Sequence, residues 1–264
     1  MTDIFGLQGK VALIVGGGQG MGESSARYLA EAGCDVAIAD IDADRARRVA
    51  DLVAGMGRRS VAIVGDALKD GPAMVAEARR ELGGLDRLVT IVGQALFKPT
   101  LEFTPEDWDS DQNRNLRYAF FTAQAFAKGL IAEEKPGAMV CICSVSGMQA
   151  AVQHVSYGAA KAGLISMVRT LGVEWAPYGI RVNGVAPGSI ITPRIPDTPE
   201  RAQQTRDSLI PMRRRGGTDE IGRAVLFLCS DLASYVTGHA LPVDGGWMAA
   251  NILLPNLPPG EVGA

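Results

Sequence analysis

The run Val11–Val15 has no polar break and is followed at once by Gly16, Gly17 and Gly18; no other stretch constrains the fold as much. An uninterrupted apolar run of this kind reads as a strand buried on both faces. Glycines at its end permit a tight turn, and helical periodicity then continues to about Ala32. The alternation repeats down the chain. Strand-like runs fall at Val36–Ala39, Val61–Val64, Leu88–Val92, Ala138–Cys143, Ile180–Val185 and Leu241–Val243. Helices are expected over Asp42–Met56, Asp70–Leu82, Pro105–Ala132, Val155–Ala176 and Thr218–Cys229. Thr104 is a natural N-cap, with Pro105 at the first helical position.

Strands that alternate with helices are joined by right-handed β-α-β crossovers. The expected fold is therefore α/β, a Rossmann-type doubly wound, mostly parallel seven-stranded sheet with helices on both faces. With 264 residues and no linker-like stretch, residues 1–264 read as a single domain. It would carry a substrate loop at about 189–215 and a tail at 248–264. The irregular stretch from Pro187 to about Gly217 is long enough to be a lid or binding loop.

Charge removes several function classes. Lysine and arginine number 26 against 29 acidic residues, a formal net charge of −3. There is no basic footprint for nucleic acid. Arg213, Arg214 and Arg215 form a short basic run that reads as a solvated loop. No apolar run approaches the roughly 18 residues of a membrane span, and the first residues lack the pattern of a secretory signal. Cys34, Cys141, Cys143 and Cys229 include no C-x-x-C pair and read as buried small hydrophobes in a reducing, cytoplasmic setting. No cluster has metal-ligand spacing.

Gly16, Gly20 and Gly22 follow the first strand and open the first helix with spacing G-x-x-x-G-x-G. Glycine lets the backbone come close to a pyrophosphate, and a helix N-terminus offers free amides and a positive dipole end. Asp40, at the end of the second strand, can accept bonds from ribose hydroxyls and would repel a 2′-phosphate. Position 19 is Gln, not a basic residue, so NAD is expected as the cofactor over NADP, although Arg45 is near in sequence. Asp66 closes the third strand and could either bind the adenine amino group or cap the next helix.

The sharpest chemical signal is Ser144–Lys161. Tyr157 and Lys161 are four apart and share one helix face. A free tyrosine is a weak base at neutral pH, and a nearby ammonium favours its phenolate. Ser144 ends the fifth strand, at the sheet edge where open α/β folds bind ligands, and its hydroxyl could hold a substrate oxygen. A serine hydrolase is disfavoured: the only histidines are His154 and His239, and no G-x-S-x-G elbow surrounds Ser144. His154, three residues before Tyr157, is either a pocket residue or a helix-cap polar group.

Together these residues resemble the short-chain dehydrogenase/reductase family over about Leu7 to Trp247. The matching segments are Gly16-x-x-x-Gly20-x-Gly22, Asn115 on the central helix, Ser144 with Tyr157 and Lys161, Pro187-Gly188-x-x-x-Thr192, and Asp244-Gly245-Gly246. The resemblance implies Tyr157 as general acid/base and Lys161 as the ribose-binding residue that favours its phenolate. It implies Ser144 as the group that orients the carbonyl, and Asn115 as the holder of a water in a proton relay. It implies cofactor contacts from Gly16, Gln19, Gly20, Met21, Gly22, Asp40, Asp66, Ala67, Gly93, Tyr157, Lys161, Pro187, Gly188, Ile190 and Thr192. It also implies a homotetramer. Thr90-Ile91-Val92-Gly93 stands where the family has Asn-Asn-Ala-Gly, so the asparagines that tie this strand end to its neighbour are missing, and Val15 replaces a threonine.

The implied activity is hydride transfer between NAD(H) and a secondary alcohol or ketone. Apolar residues of the substrate loop (Ile190, Ile191, Ile195, Leu209, Ile210, Met212), facing Val145, Met148, Ala151 and Val152, suggest a mainly apolar substrate. Two other readings stay open: an NADP-dependent 3-oxoacyl-type reductase, and a non-catalytic dinucleotide-binding sensor or scaffold.

Overall fold

The computed structural model describes residues 3–206 and 210–250. Seven strands form one sheet: β1 (Val11–Val15), β2 (Asp35–Asp40), β3 (Ser60–Val64), β4 (Arg87–Thr90), β5 (Gly137–Ile142), β6 (Ile180–Pro187) and β7 (Ala240–Val243). Their order is β3-β2-β1-β4-β5-β6-β7, and every neighbouring pair is parallel. The order reverses between β1 and β4, and the crevice at the carboxyl ends of these two strands is where a doubly wound sheet takes a ligand.

The apolar run of β1 explains the two-sided architecture. Val11, Leu13 and Val15 point into one core, and Ala12 and Ile14 into the other, as the alternation of a strand requires. The first core holds residues of α3 (Ala67–Leu82), α5 (Tyr118–Ala132) and α6 (Val155–Glu174), among them Met74, Phe126 and Leu164. The second holds residues of α1 (Met21–Glu31), α2 (Ala43–Gly55) and α8 (Thr218–Cys229), including Leu29, Val49 and Ile221. A central strand buried on both sides cannot alternate with polar residues, and β1 does not.

Several elements differ from expectation. The helix expected over Pro105–Ala132 is three pieces: α4 (Pro105–Gln112), a π-helical turn (Asn113–Arg117) and α5. Thr104 does cap α4, in a reciprocal box with Asp107. α3 begins at Ala67 rather than Asp70, because Asp66 caps it by accepting from the Leu68 amide. β6 runs on to Pro187, and the stretch read as irregular contains α7 (Pro199–Arg206). The basic run is not a solvated loop throughout. Arg215 is buried, and Arg214 makes a two-pronged ion pair with Glu220, at 2.7 and 2.9 Å. Leu209 and the tail from residue 251 lie outside the described residues. All four cysteines are free and buried, and no helix among the described residues is long and apolar enough to cross a membrane.

Candidate active site

The carboxyl end of β1 turns through Gly16–Gly20 into α1. The turn is sewn to β2 by the amides of Gly16 and Gly17, which donate to the Ala39 carbonyl at 2.8 and 3.0 Å. Gly16 and Gly20 have φ of 88° and 59°, the left-handed region that glycine enters without strain. A Cβ at Gly22 would run into the Gly16 carbonyl, so α1 can sit against the turn only because residue 22 lacks one. Among the described residues the amides of Gln19, Gly20 and Met21 find no acceptor. They lie at the mouth of α1, an eleven-residue helix whose N-cap is Gly20 and whose first residue is Met21, and together they form a ready anion cradle.

Asp40 stands beside this cradle, only 8% exposed. One carboxylate oxygen accepts from the Gly18 amide at 3.0 Å. The other accepts from the Asp42 amide at 3.0 Å and from Arg45 Nη2 at 2.8 Å. Arg45 is thus already paired with the carboxylate whose charge sets this corner. Asp66 lies at the next strand end, where it caps α3 and sits 3.5 Å from Lys69.

Ser144 follows β5 and caps a short 3₁₀ turn (Val145–Gly147), its Oγ accepting from the Ser146 amide at 3.1 Å. Tyr157 and Lys161 lie on the first turns of α6. Lys161 is 2% exposed and donates to the carbonyl of Ile142, the last residue of β5, at 2.8 Å. Its Nζ is 5.6 Å from the centre of the Tyr157 ring. Among the described residues no carboxylate pairs with it. A buried ammonium with one carbonyl acceptor keeps two N–H bonds to give, and burial without a counter-charge is costly.

Asn115 joins the same cluster through the π turn. A Cβ at Gly93 would lie 2.8 Å from Asn115 Oδ1 and 3.2 Å from Lys161 Nζ, so the bare backbone of Gly93 is the point where these two side chains meet. Asn115 Oδ1 accepts from the Gln94 amide at 3.1 Å, and Nδ2 donates to the Gln94 and Asp111 carbonyls, both at 3.0 Å. Its side chain is fully committed to backbone. The π turn, a form concentrated at functional sites, was not expected from the sequence; the only local hint is Asn113 and Asn115, poor helix formers, so close together.

The strand end that lacks the asparagines is tied another way. The Tyr118 hydroxyl donates to the Val92 carbonyl at 2.8 Å, and the Ile91 amide donates to Val15 at 2.9 Å. Sequence reading missed Tyr118. Its phenol is buried, and desolvation holds it protonated well above the usual tyrosine range. Nearby, Asp111 is 1% exposed, and burial raises its carboxyl above the ordinary value.

The Pro187–Gly217 segment closes the other side. The Gly188 amide donates to Val243 at 3.0 Å, and Ile190 pairs with Gly216 in a short bridge. Thr192 and Ile195 bond one another across a tight turn, which brings Pro193 against Gly20. Thr192 therefore stands over the glycine turn, although the two are far apart in sequence. Arg194 Nη1 reaches the Gly93 carbonyl at 3.5 Å.

Of the residues expected to face substrate, Val145 is buried and Met148 packs against the core. His154 does not cap α6 with its side chain. Its ring lies edge-on between Phe97 (centroids 4.4 Å apart) and Tyr157 (5.7 Å), with Nδ1 2.9 Å from the Val152 carbonyl. Phe97, absent from the sequence reading, is 63% exposed. Phe97, His154 and Tyr157 thus make a ring-to-ring path from the surface to the phenol.

The fit to a dinucleotide is good on these observations: open amides at a helix N-terminus, glycines that a Cβ would block, a ribose-level carboxylate and an unpaired buried ammonium. A family model described as enoyl-(acyl carrier protein) reductase matches residues 16–248. The chain is 36% identical over 249 residues to 2-dehydro-3-deoxy-D-gluconate 5-dehydrogenase of Escherichia coli strain K12, covering 93% of this chain and 98% of that one. It is similar to the solved structure of a short-chain type dehydrogenase/reductase from Mycobacterium marinum, with TM-score 0.85 and 33% identity over 93% of this chain and 98% of that one. It is likewise similar to a candidate 2-deoxy-D-gluconate 3-dehydrogenase from Agrobacterium tumefaciens solved with bound NADP, with TM-score 0.81 and 35% identity over 94% of this chain and all of that one.

Proposed function

The chain belongs to the short-chain dehydrogenase/reductase family, and from that premise we propose that it moves a hydride between NAD(H) and a secondary alcohol or ketone of mainly apolar character. The observation that carries this reading is Lys161: an ammonium buried beside Tyr157, bonded to one strand-end carbonyl and paired with no described carboxylate. A charge kept there at a cost to stability has a use in the filled site.

In this reading Gly16, Gln19, Gly20, Met21 and Gly22 hold the pyrophosphate, Asp40 the adenosine ribose, and Asp66 and Ala67 border the adenine. Gly93, Pro187, Gly188, Ile190 and Thr192 line the nicotinamide side. When bound, the nicotinamide supplies the hydride acceptor or donor. Ser144 Oγ donates to the substrate oxygen as charge grows on it. The Tyr157 hydroxyl gives its proton to that oxygen in reduction and takes it back in oxidation. Lys161 binds the ribose hydroxyls with its remaining N–H bonds and sets a positive charge beside the Tyr157 ring. Asn115 acts as a brace: it fixes Gln94 and holds the π turn, which leaves backbone groups outside the regular ladder to seat a relay water.

An apolar substrate is supported by large apolar side chains left exposed around this corner, among them Phe97, Val152, Val155, Ile195 and Met212. A homotetramer fits the exposed Phe120 and Phe121 on α5 and Leu241 on the edge strand β7. Free buried thiols fit a cytoplasmic location.

One observation favours a second reading, NADP use. Arg45, with its side chain 32% exposed, stands at the Asp40 corner and could turn to a 2′-phosphate, as a relative that binds NADP must provide for by some means. Initial rates on a panel of apolar secondary alcohols and ketones, with NAD(H) and NADP(H) in parallel, test both points. Higher kcat/KM with NAD(H) is expected; a clear preference for NADP(H) overturns the cofactor assignment, and no turnover on any of them overturns the substrate class.

A further inference from the structure

Arg215 was expected in a solvated basic loop, and it is 7% exposed. Its guanidinium makes five hydrogen bonds, all to one short segment. Nε donates to Ser189 Oγ at 3.2 Å, and Nη2 to the carbonyls of Ile190 at 2.7 Å and Ile195 at 3.0 Å. Nη1 donates to the Pro196 carbonyl and to Asp197 Oδ1, both at 3.2 Å. The acceptors divide between the two limbs of one turn: Ser189 and Ile190 going out, Ile195, Pro196 and Asp197 coming back. Between them lie Ile191 to Arg194, the stretch that carries Thr192 and sets Pro193 against Gly20.

A single planar fork therefore fastens both limbs, and the geometry is specific to arginine. A lysine offers one point charge and cannot reach acceptors spread across a fan of this width. None of the five acceptors lies on a strand of the sheet, although Ile190 itself packs into the second core. The loss of Arg215 would leave the strands and helices paired and the Thr192–Ile195 bonds at the tip in place, but would remove the side-chain tie between Ser189–Ile190 and Ile195–Asp197 below it. The clamp also has a charge partner, Asp197, whose side chain is 39% exposed and can be altered without opening the core.

We propose that Arg215 is a positioning residue for cofactor binding: by joining the two limbs of Ser189–Asp197 it holds Ile190 and Thr192 in place over the dinucleotide. This rests on the reading that Ile190 and Thr192 face the nicotinamide side. Arg215 touches neither cofactor nor substrate; it acts through the turn. The cost of its loss falls on dinucleotide affinity and on the hydride step, because an unfastened turn must be ordered each time the site fills.

The test compares the wild-type full chain with Arg215→Met, Arg215→Lys and Asp197→Asn. For each, the Kd for NADH and NADPH is measured by fluorescence titration, with the thermal midpoint and the rate of trypsin cleavage after Arg194 and Arg201. Arg215→Met is expected to weaken the preferred dinucleotide by about tenfold or more, since bonds to a charged group are lost. Trypsin should then cut faster, and millimolar methylguanidinium should restore much of the affinity. Arg215→Lys should resemble Arg215→Met, and Asp197→Asn should fall between it and the wild type. If Arg215→Met does not fold, Arg215→Lys and Asp197→Asn decide. Affinities within twofold of wild type in the folded variants overturn the clamp, as does a loss of affinity that only tracks a fall in thermal midpoint and is not rescued. A wild type that binds neither dinucleotide overturns the oxidoreductase reading itself, and is seen before any variant is compared.

Discussion

Two regions meet over the crevice at the ends of β1 and β4, and they are built on opposite principles. The glycine turn and Asp40 are local: backbone amides, short spacings and absent side chains make the surface, and the bonds of Gly16, Gly17 and Gly18 all run to the end of the adjacent strand β2. The Ser189–Asp197 turn is held from outside itself, by a guanidinium from residue 215 and a bridge to Gly216. The first region is a rigid part of the sheet's edge. The second is a loop laid over that edge and fastened by the side chain of Arg215 and the backbone of Gly216.

Of the two regions, the fixed one should show the larger effect. Gly22→Ala forces a Cβ into the Gly16 carbonyl, so α1 must shift away from the turn. Displacements near 1 Å at a binding site can cost about a hundredfold, and a loss of that order in dinucleotide affinity is expected by calorimetric titration. Unchanged affinity would break the claim that this corner is fixed by backbone contact.

Cofactor choice should respond next. Asp40→Asn removes the negative charge but keeps a side chain able to accept from Gly18, and it leaves Arg45 only its longer ion pair with Asp42, at 3.6 Å. The ratio of kcat/KM for NADP to that for NAD should rise by about tenfold, the equivalent of about 1.4 kcal/mol. A ratio that does not move would take cofactor discrimination away from Asp40.

Smaller effects are expected where the two regions lean on the sheet. Tyr118→Phe leaves the Val92 carbonyl without its donor, and a buried group so orphaned costs about 1–3 kcal/mol. A lowered thermal midpoint with little change in KM is expected. A large change in KM at constant stability would show that Tyr118 acts on the site and not on the strand end.

Next to the Arg215 tie, at the start of α8, the Arg214 ion pair and the Gly217 amide lower the Glu220 carboxyl from 4.5 to about 2. A lowered value favours the charged form in the folded chain. The stability from this contact is therefore present above about pH 4.5 and lost as pH falls towards 2. Thermal midpoints across that window should fall less steeply in Glu220→Gln than in the wild type; parallel curves would show that the contact contributes nothing to acid stability.

The same contrast explains what the sequence could tell. The parallel α/β class follows from alternation, and β1 betrays its two-sided burial because Val11–Val15 has no polar residue. The neighbourhood of Tyr157 and Lys161 was legible because the two are one helical turn apart. Arg215 was not, because nothing near it in sequence predicts five acceptors some twenty residues away. The π turn at Asn115 was hidden for another reason: Pro105–Ala132 has helical composition throughout, and the extra residue is set by the bonds of Asn115 to Gln94, across the crevice. Tyr118 took over a tie expected from asparagine, a substitution between distant positions that no local pattern displays.

The central claim is that Tyr157 moves the proton. Tyr157→Phe keeps the ring that lies beside His154 and Lys161 and removes only the hydroxyl. With a substrate found in the alcohol and ketone panel, kcat should fall by about a hundred- to ten-thousandfold while the dinucleotide Kd stays within twofold of wild type. A kcat within twofold of wild type, with the dinucleotide still bound, would contradict the account.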